Sequence, residues 1–206
     1  MADLKIKPTA GTGNKIIIET QDGTDVITTG NQDLKLENVS TDSTGAGLGV
    51  QCAQTFQLTS NKGNVTTASD ITADISEISN TATASYGSLV SQSSGIFSFS
   101  KTGIYWIWMH GNTSYDNDAE YNIQMIKTTV DNGTYVIAQK SVVSRPLETG
   151  SEGYQNIVTQ CFFDVTNTTN CKVKFTVQAT VNTNWLGSAS MDSQPCTFQF
   201  IRLSDT

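Results

Sequence analysis

The sequence predicts an all-β fold: an antiparallel sandwich preceded by a short β arm. Three observations predict it. Thr and Ser dominate the polar residues, with 30 Thr and 21 Ser in 206 residues, and β-branched Thr suits the solvent side of a strand. Apolar residues recur at every second position in many short segments, and polar, Gly-bearing turns separate them. Sixteen Gly supply turns, while only three Pro interrupt strands.

Residues 1–45 read as an arm. LKIKP is a short strand. KIIIET (15–20) and DVITT (25–29) flank Gln21-Asp22-Gly23-Thr24. Asp-Gly between β-branched runs signals a hairpin, because Gly accepts the positive φ of a tight turn. LKLENV (34–39) alternates again, and STDSTGAGLG follows as a polar, Gly-rich hinge. Strands this few and short bury little alone, so the arm needs a surface to lie on.

Residues 46–206 read as a larger knob of eight or so strands. Val50, Cys52, Phe56 and Leu58 share one parity of a first long strand. Ile71, Ile75 and Ile78 then follow Ser69 and Asp70 at helical spacing. A capped helix and an irregular strand or loop are both compatible with that pattern. GIFSFS and IYWIWMH are strands joined at Lys101-Thr102-Gly103. YNIQMIKTTV and TYVIAQKSVV flank Asp131-Asn132-Gly133, a second tight hairpin. NIVTQCFFDV and CKVKFTVQATV bracket residues 166–170, and the second places Cys171, Val173, Phe175, Val177, Ala179 and Val181 inside. SRPLETGSEG and NTNWLGSASMDSQP are exposed loops, and the segment from Cys196 is the closing strand. Strands at this spacing make a sandwich or jelly roll.

One strand breaks the usual alternation. In GIYWIWMH, Ile104, Trp106 and Trp108 share one parity, while Tyr105, Ile107 and Met109 share the other. Both faces are apolar, so both need a cover.

Composition narrows the function. A net charge of −7 and few Lys or Arg argue against binding nucleic acid or an anionic membrane surface. No apolar run approaches a membrane span, and MADLKIKPTAG has no hydrophobic stretch of a secretory signal, so synthesis and retention in a cytoplasm are expected. Cys52, Cys161, Cys171 and Cys196 have no CxxC spacing, which favours free thiols over a zinc site or bridges. His110 is the only histidine, no Ser stands in GxSxG, and no motif singles out a carboxylate pair. No catalytic residues, no cofactor and no enzymatic activity are expected. Asp116, Asp118 and Glu120 have the alternation of a calcium loop's first ligands. Tyr121 stands where that loop needs Gly, and Lys127 where it needs the closing Glu, so a solvated loop is the simpler reading. Trp185 is an aromatic in a polar loop, either a stacking platform for a receptor or an anchor into the core.

Two resemblances add to this. Phe97, five residues, then Gly103-Ile-Tyr105-Trp-Ile107 resembles the aromatic signature of the C1q/tumour-necrosis-factor family. It departs from that signature at Ile107 and Met109, where the family prefers aromatics. The hairpin at Asn132-Gly133 resembles the family's next strand pair, and Thr197-Phe198-Gln-Phe200 its terminal strand, without the usual Gly. The likeness covers roughly residues 85–206 and implies a trimeric jelly roll. One face of the strand bearing Tyr105, Trp106, Ile107, Trp108 and Met109 would then pack in the sandwich and the other against sister subunits. A loop or the arm of the same chain is the alternative cover.

The stretch ADLKIKPTAGTGNKIIIETQDGTDVITTG resembles N-terminal segments of structural proteins of marine tailed bacteriophages. That resemblance implies a virion surface protein made in the host cytoplasm, a capsid decoration protein or a head- or tail-fibre adhesin. The arm, with Ile16, Ile17, Ile18, Val26 and Ile27, would dock on the major capsid protein or a neighbouring virion protein. Loops carrying Asp116, Asp118, Glu120 and Trp185 would be candidates to meet a host-surface glycan or receptor.

Overall fold

The computed structural model describes residues 50, 52–63, 65–78, 85–115, 120–145, 153–179, 183–188 and 195–205, together with the main chain of four strands before residue 36. The chain divides into two compact units, Met1–Gly49 and Val50–Thr206.

The first unit contains β1 (Lys5–Pro8), β2 (Ile16–Glu19), β3 (Asp25–Thr29) and β4 (Leu34–Lys35). They form an antiparallel meander in the order β1-β2-β3-β4. The expected 21–24 turn lies outside the described residues, but the strands it joins do pair.

The second unit is a sandwich of two antiparallel sheets. Its strands are β5 (Cys52–Leu58), β6 (Lys62–Gly63), β7 (Ser69–Asp70), β8 (Ile75–Glu77), β9 (Val90–Ser93), β10 (Ile96–Phe99), β11 (Gly103–Tyr115), β12 (Glu120–Thr129), β13 (Val136–Arg145), β14 (Gly153–Val165), β15 (Lys172–Ala179), β16 (Thr183–Trp185) and β17 (Thr197–Ser204). One sheet runs β13-β12-β15-β10-β9, with β7 also on β15. The other runs β6-β16-β11-β17-β5-β8, with β14 along β11. One edge of β11 pairs with β14 over its whole length, while β17 and then β16 share the other edge. The chain changes sheet between β6 and β7, β7 and β8, β8 and β9, β10 and β11, β11 and β12, β13 and β14, β14 and β15, and β15 and β16. Those crossings make the jelly roll.

The core is where the alternation predicts it. Cys171, Val173, Phe175, Val177 and Ala179 are all fully buried; Val181 lies outside the described residues. Phe97 is the hub: its ring lies 5.2 Å from Phe56, 5.2 Å from Phe175 and 4.9 Å from Phe200. Edge-on and tilted rings bring the positive rim of one to the negative face of the next. Cys52, Phe56 and Leu58 are buried as expected, but Val50 is half exposed because it precedes the first strand.

The hairpin between β12 and β13 forms at Asp131-Asn132-Gly133, with Asn132 at φ 58°. The Asp131 carboxylate accepts hydrogen bonds from the Thr129 hydroxyl (2.6 Å) and the Gly133 and Thr134 amides (2.9 and 2.8 Å). These bonds hold its pKa down at about 2.

No helix forms over 69–78. Ser69 and Asp70 pair with β15 in one sheet, and Ile75–Glu77 pair with β5 in the other. The segment wraps the side of the sandwich: Ile71 joins the core, Ile75 packs against it, and Ile78 is buried outside that cluster. Asp74 reverses the chain at φ 57°. Isoleucines at helical spacing here serve two sheets instead of one helix face. Asp70 anchors the wrap: its carboxylate accepts from the Thr176 hydroxyl (2.5 Å) and pairs with Lys127 (3.3 Å) and Lys174 (3.6 Å). Partial burial works to raise the Asp70 pKa, but the Thr176 and Lys127 bonds and both lysine charges outweigh it and hold it below its ordinary value. A depressed carboxylate stabilises the fold above its unfolded pKa and stops doing so as pH falls through the folded value. Asp70→Asn should therefore lower stability at neutral pH and flatten the loss of stability below the usual carboxylate range. Chemical denaturation between pH 2 and 7 checks this.

A second constraint lies at Gly111. A Cβ there would fall on the Gln124 amide oxygen and 3.5 Å from the Trp185 ring. Gln124 is fully buried, and its Nε2 donates to the Met109 and Ile157 carbonyls, each at 3.0 Å. Gly111→Ala should push the amide out of both bonds and destabilise by about 2–3 kcal/mol. The shift of the urea midpoint measures it.

Candidate functional site: an aromatic face on the β11 sheet

Strand pairing decides which side of β11 is core. Tyr105, Ile107 and Met109 are fully buried between the sheets, paired with Phe163, Cys161 and Thr159 of β14. Burial is the main cause that raises the Tyr105 phenol to about 12, and its OH donates to the Lys101 carbonyl at 2.9 Å. Ile104, Trp106, Trp108 and His110 stand on the opposite side and are each half-buried.

That outward side carries an apolar patch bordered by Gln160, Gln199 and His110. Trp106 is paired with Phe162 on β14 and Ile201 on β17; Trp108 is paired with Gln160 and Gln199. Directly paired residues share a face. The Trp106 and Trp108 rings meet edge to face with centroids 4.5 Å apart, and Trp106 stacks on Phe162 at 5.9 Å. Phe162 is 66% exposed and Val158 56%, large values for apolar residues on one strand face. The Trp108 Nε1 is shielded from solvent and meets no acceptor among the described residues.

The other candidates fall differently. Trp185 is fully buried, paired with Thr113 and Lys62, so it is a core anchor and presents nothing to a receptor. Its loop is in part the strand β16. Asp116 and Asp118 lie outside the described residues, and Glu120 is described only as the first main-chain position of β12. Among the described residues no three His, Cys, Asp or Glu side chains are grouped to hold a metal, and no helix is long and apolar enough to cross a membrane. Of the arm positions, Ile18 pairs with Ile27 and Ile16 with Pro8, while Ile17 has the opposite parity and Val26 adjoins a register shift.

The four cysteines are free. Burial pushes the Cys161 thiol to about 11 and Cys196 to about 12, and raises Cys52. None of these three is a thiolate at neutral pH, so none is a poised nucleophile.

The sequence reading missed Phe162 and Ile201. The signal was present in NIVTQCFFDV: once Phe163 and Val165 go inward, Phe162 must go outward.

No family model matches the chain, and no curated protein sequence matches it. Solved structures do. A crystal structure of murine APRIL at pH 5.0 is 10% identical, with a TM-score of 0.51 over 74% of this chain and 98% of that one. Two further structures of murine APRIL, at pH 8.0 and 8.5, are 11% and 12% identical over 74% and 73% of this chain and 98% and 99% of theirs, with TM-scores of 0.48 and 0.47. At such identity the first likeness speaks to fold alone. The Val50–Thr206 unit is an antiparallel C1q/TNF-like jelly roll.

Proposed function

We propose that this chain is a non-enzymatic, homotrimeric surface protein of a phage particle, a capsid decoration protein whose jelly roll faces outward. One observation carries the trimer: the Trp106–Trp108–Phe162 face, apolar and solvent-facing on a strand whose other side already fills the core. Apolar patches of this kind on a soluble domain mark an interface. C1q-like jelly rolls use this sheet for their threefold contacts, which supports three copies over two. The virion role is supported by the resemblance of residues 2–30 to phage structural proteins and by the acidic, Thr- and Ser-rich composition. The arm would attach to the capsid or to a neighbouring virion protein by adding a strand to an edge. A decoration protein stabilises a shell because it binds assembled lattice better than free subunits. Sedimentation of the purified chain tests the trimer. Labelled protein imaged on particles tests the location: copies over the whole shell lattice support decoration, and copies confined to a vertex or tail refute it.

A second reading, a fibre adhesin, is favoured by topology. Tyr115 pairs with both Gly153 and Thr183, and Glu120 with Arg145. The ends of β11, β13 and β15 and the starts of β12, β14 and β16 therefore meet at one end of the sandwich. The connecting segments 116–119, 146–152 and 180–182 leave from that rim. Binding of host glycan lost on exchange of these segments, with sedimentation unchanged, would favour the adhesin.

A further inference from the structure

The register of the arm sheet divides its positions into two unlike faces. Paired positions share a face and successive positions alternate. Ile6 pairs with Ile18, Pro8 with Ile16, Ile18 with Ile27 and Thr29 with Leu34. Ile6, Ile16, Ile18, Ile27 and Leu34 therefore fall on one face. Lys5, Lys7, Ile17, Glu19, Thr28 and Lys35 fall on the other. Among the described residues of this unit there is only the one sheet, so its own strands supply no second layer.

We propose that the Ile6–Ile18–Ile27 face is covered by the same face of the arms of the sister subunits, so that the three arms of one trimer close on each other. The inference rests on the trimeric reading above. Area selects this occupant. Strands of four or five residues at the ordinary spacing offer a face of about 250 Å² per copy. A stable interface needs about 800 Å² per partner, so one face does not hold a separate partner by itself. A tethered one is different. Residues 36–49 separate β4 from the second unit. However they are folded, they reach at most about 50 Å. Three arms rooted on one trimer are thus confined to an effective concentration on the order of 3 mM. A small apolar face suffices at that concentration. The Lys-bearing face and the outer edges of β1 and β4 are then left for attachment.

The test uses the full chain with Ile18→Cys, and Ile17→Cys as the opposite-face control. Each is treated with a polyethylene-glycol maleimide and, separately, with a mild oxidant, and the unaltered chain gives the background from native thiols. Sedimentation is run on the same samples. The expected result is a trimer in which Ile18→Cys labels several-fold more slowly than Ile17→Cys and forms disulfide-linked dimers in a yield independent of protein concentration. A trimer in which both positions label equally fast overturns the inference and leaves the trimer standing. Protection without cross-linking places the cover within the same subunit and also overturns it. Protection that arises only when particles are added assigns the face to a virion protein and overturns it as well. A monomer in sedimentation removes the trimeric reading itself, and the closure of arms with it.

Discussion

Trp106→Ser is expected to yield a folded monomer, and the unaltered chain the proposed trimer. A tryptophan ring carries up to about 250 Å² of surface; Trp106 is half-buried in the monomer, and at about 25 cal/mol per Å² the part left exposed is worth on the order of 1–2 kcal/mol per seam. Each trimer contains the substitution three times, so micromolar assembly should be lost. The monomer should lose only the ring contacts with Trp108 and Phe162, less than a core aromatic is worth, because Trp106 is on the side away from the core. Phe162→Ser should act the same way, since the two rings stack. Tyr105→Ser is the contrast. Its ring is fully buried 4.6 Å from Phe99, and its removal should cost the monomer about 3–5 kcal/mol. Sedimentation velocity and urea unfolding, run on all three variants, separate the two effects. A Trp106→Ser protein that remains trimeric with unchanged affinity would exclude this face as the seam.

The contrast also marks what the sequence could and could not tell. Two parities were readable in GIYWIWMH, but not which one was core, because both are apolar. The tie is broken by neighbours far along the chain: Phe163 across β14 and Phe200 across β17 commit Tyr105 and Ile107 inward. In CKVKFTVQA no tie exists, since Lys and Gln hold the second parity, and the buried set came out correctly. Ile71, Ile75 and Ile78 gave a spacing without a partner, and spacing alone does not distinguish a helix face from a strap over two sheets. For Trp185 the sequence allows both a stacking platform and a core anchor, and the structure makes it the anchor, for a related reason. Its neighbours are polar in sequence, whereas its burial is imposed by β11 and β6 on either side. Parity is a local property, whereas covering is a tertiary one, and a site defined by what covers it is the last thing a sequence reveals.

Asp205→Asn is expected to destabilise the knob more than Arg202→Met does. Arg202 is fully buried, opposite Tyr105 on β11 and Cys52 on β5. Its guanidinium donates to the Thr102 carbonyl through Nε at 2.9 Å and through a terminal nitrogen at 2.7 Å, and it forms an ion pair with Asp205. Lys101 approaches the same carboxylate at 3.9 Å. The backbone makes room for this: Gly103 sits at φ 139°, and a Cβ there would come within 2.7 Å of Arg202 Nε. Taking the carboxylate away removes the Asp205 charge from a buried cation. That loss runs to about 3–5 kcal/mol for a wholly buried pair; with Asp205 partly exposed, about 2–3 kcal/mol is expected. Arg202→Met removes the charge along with its need for a partner, fills similar volume, and lets Asp205 turn to water. The main residual loss is the donors to Thr102, about 1–2 kcal/mol. The double variant should then resemble Arg202→Met alone, far from the sum of the two, because the carboxylate matters only while the guanidinium is there. Urea unfolding of the two single variants and the double variant gives the cycle directly. If Arg202→Met proved the worse of the two, the buried pair would be a net source of stability here.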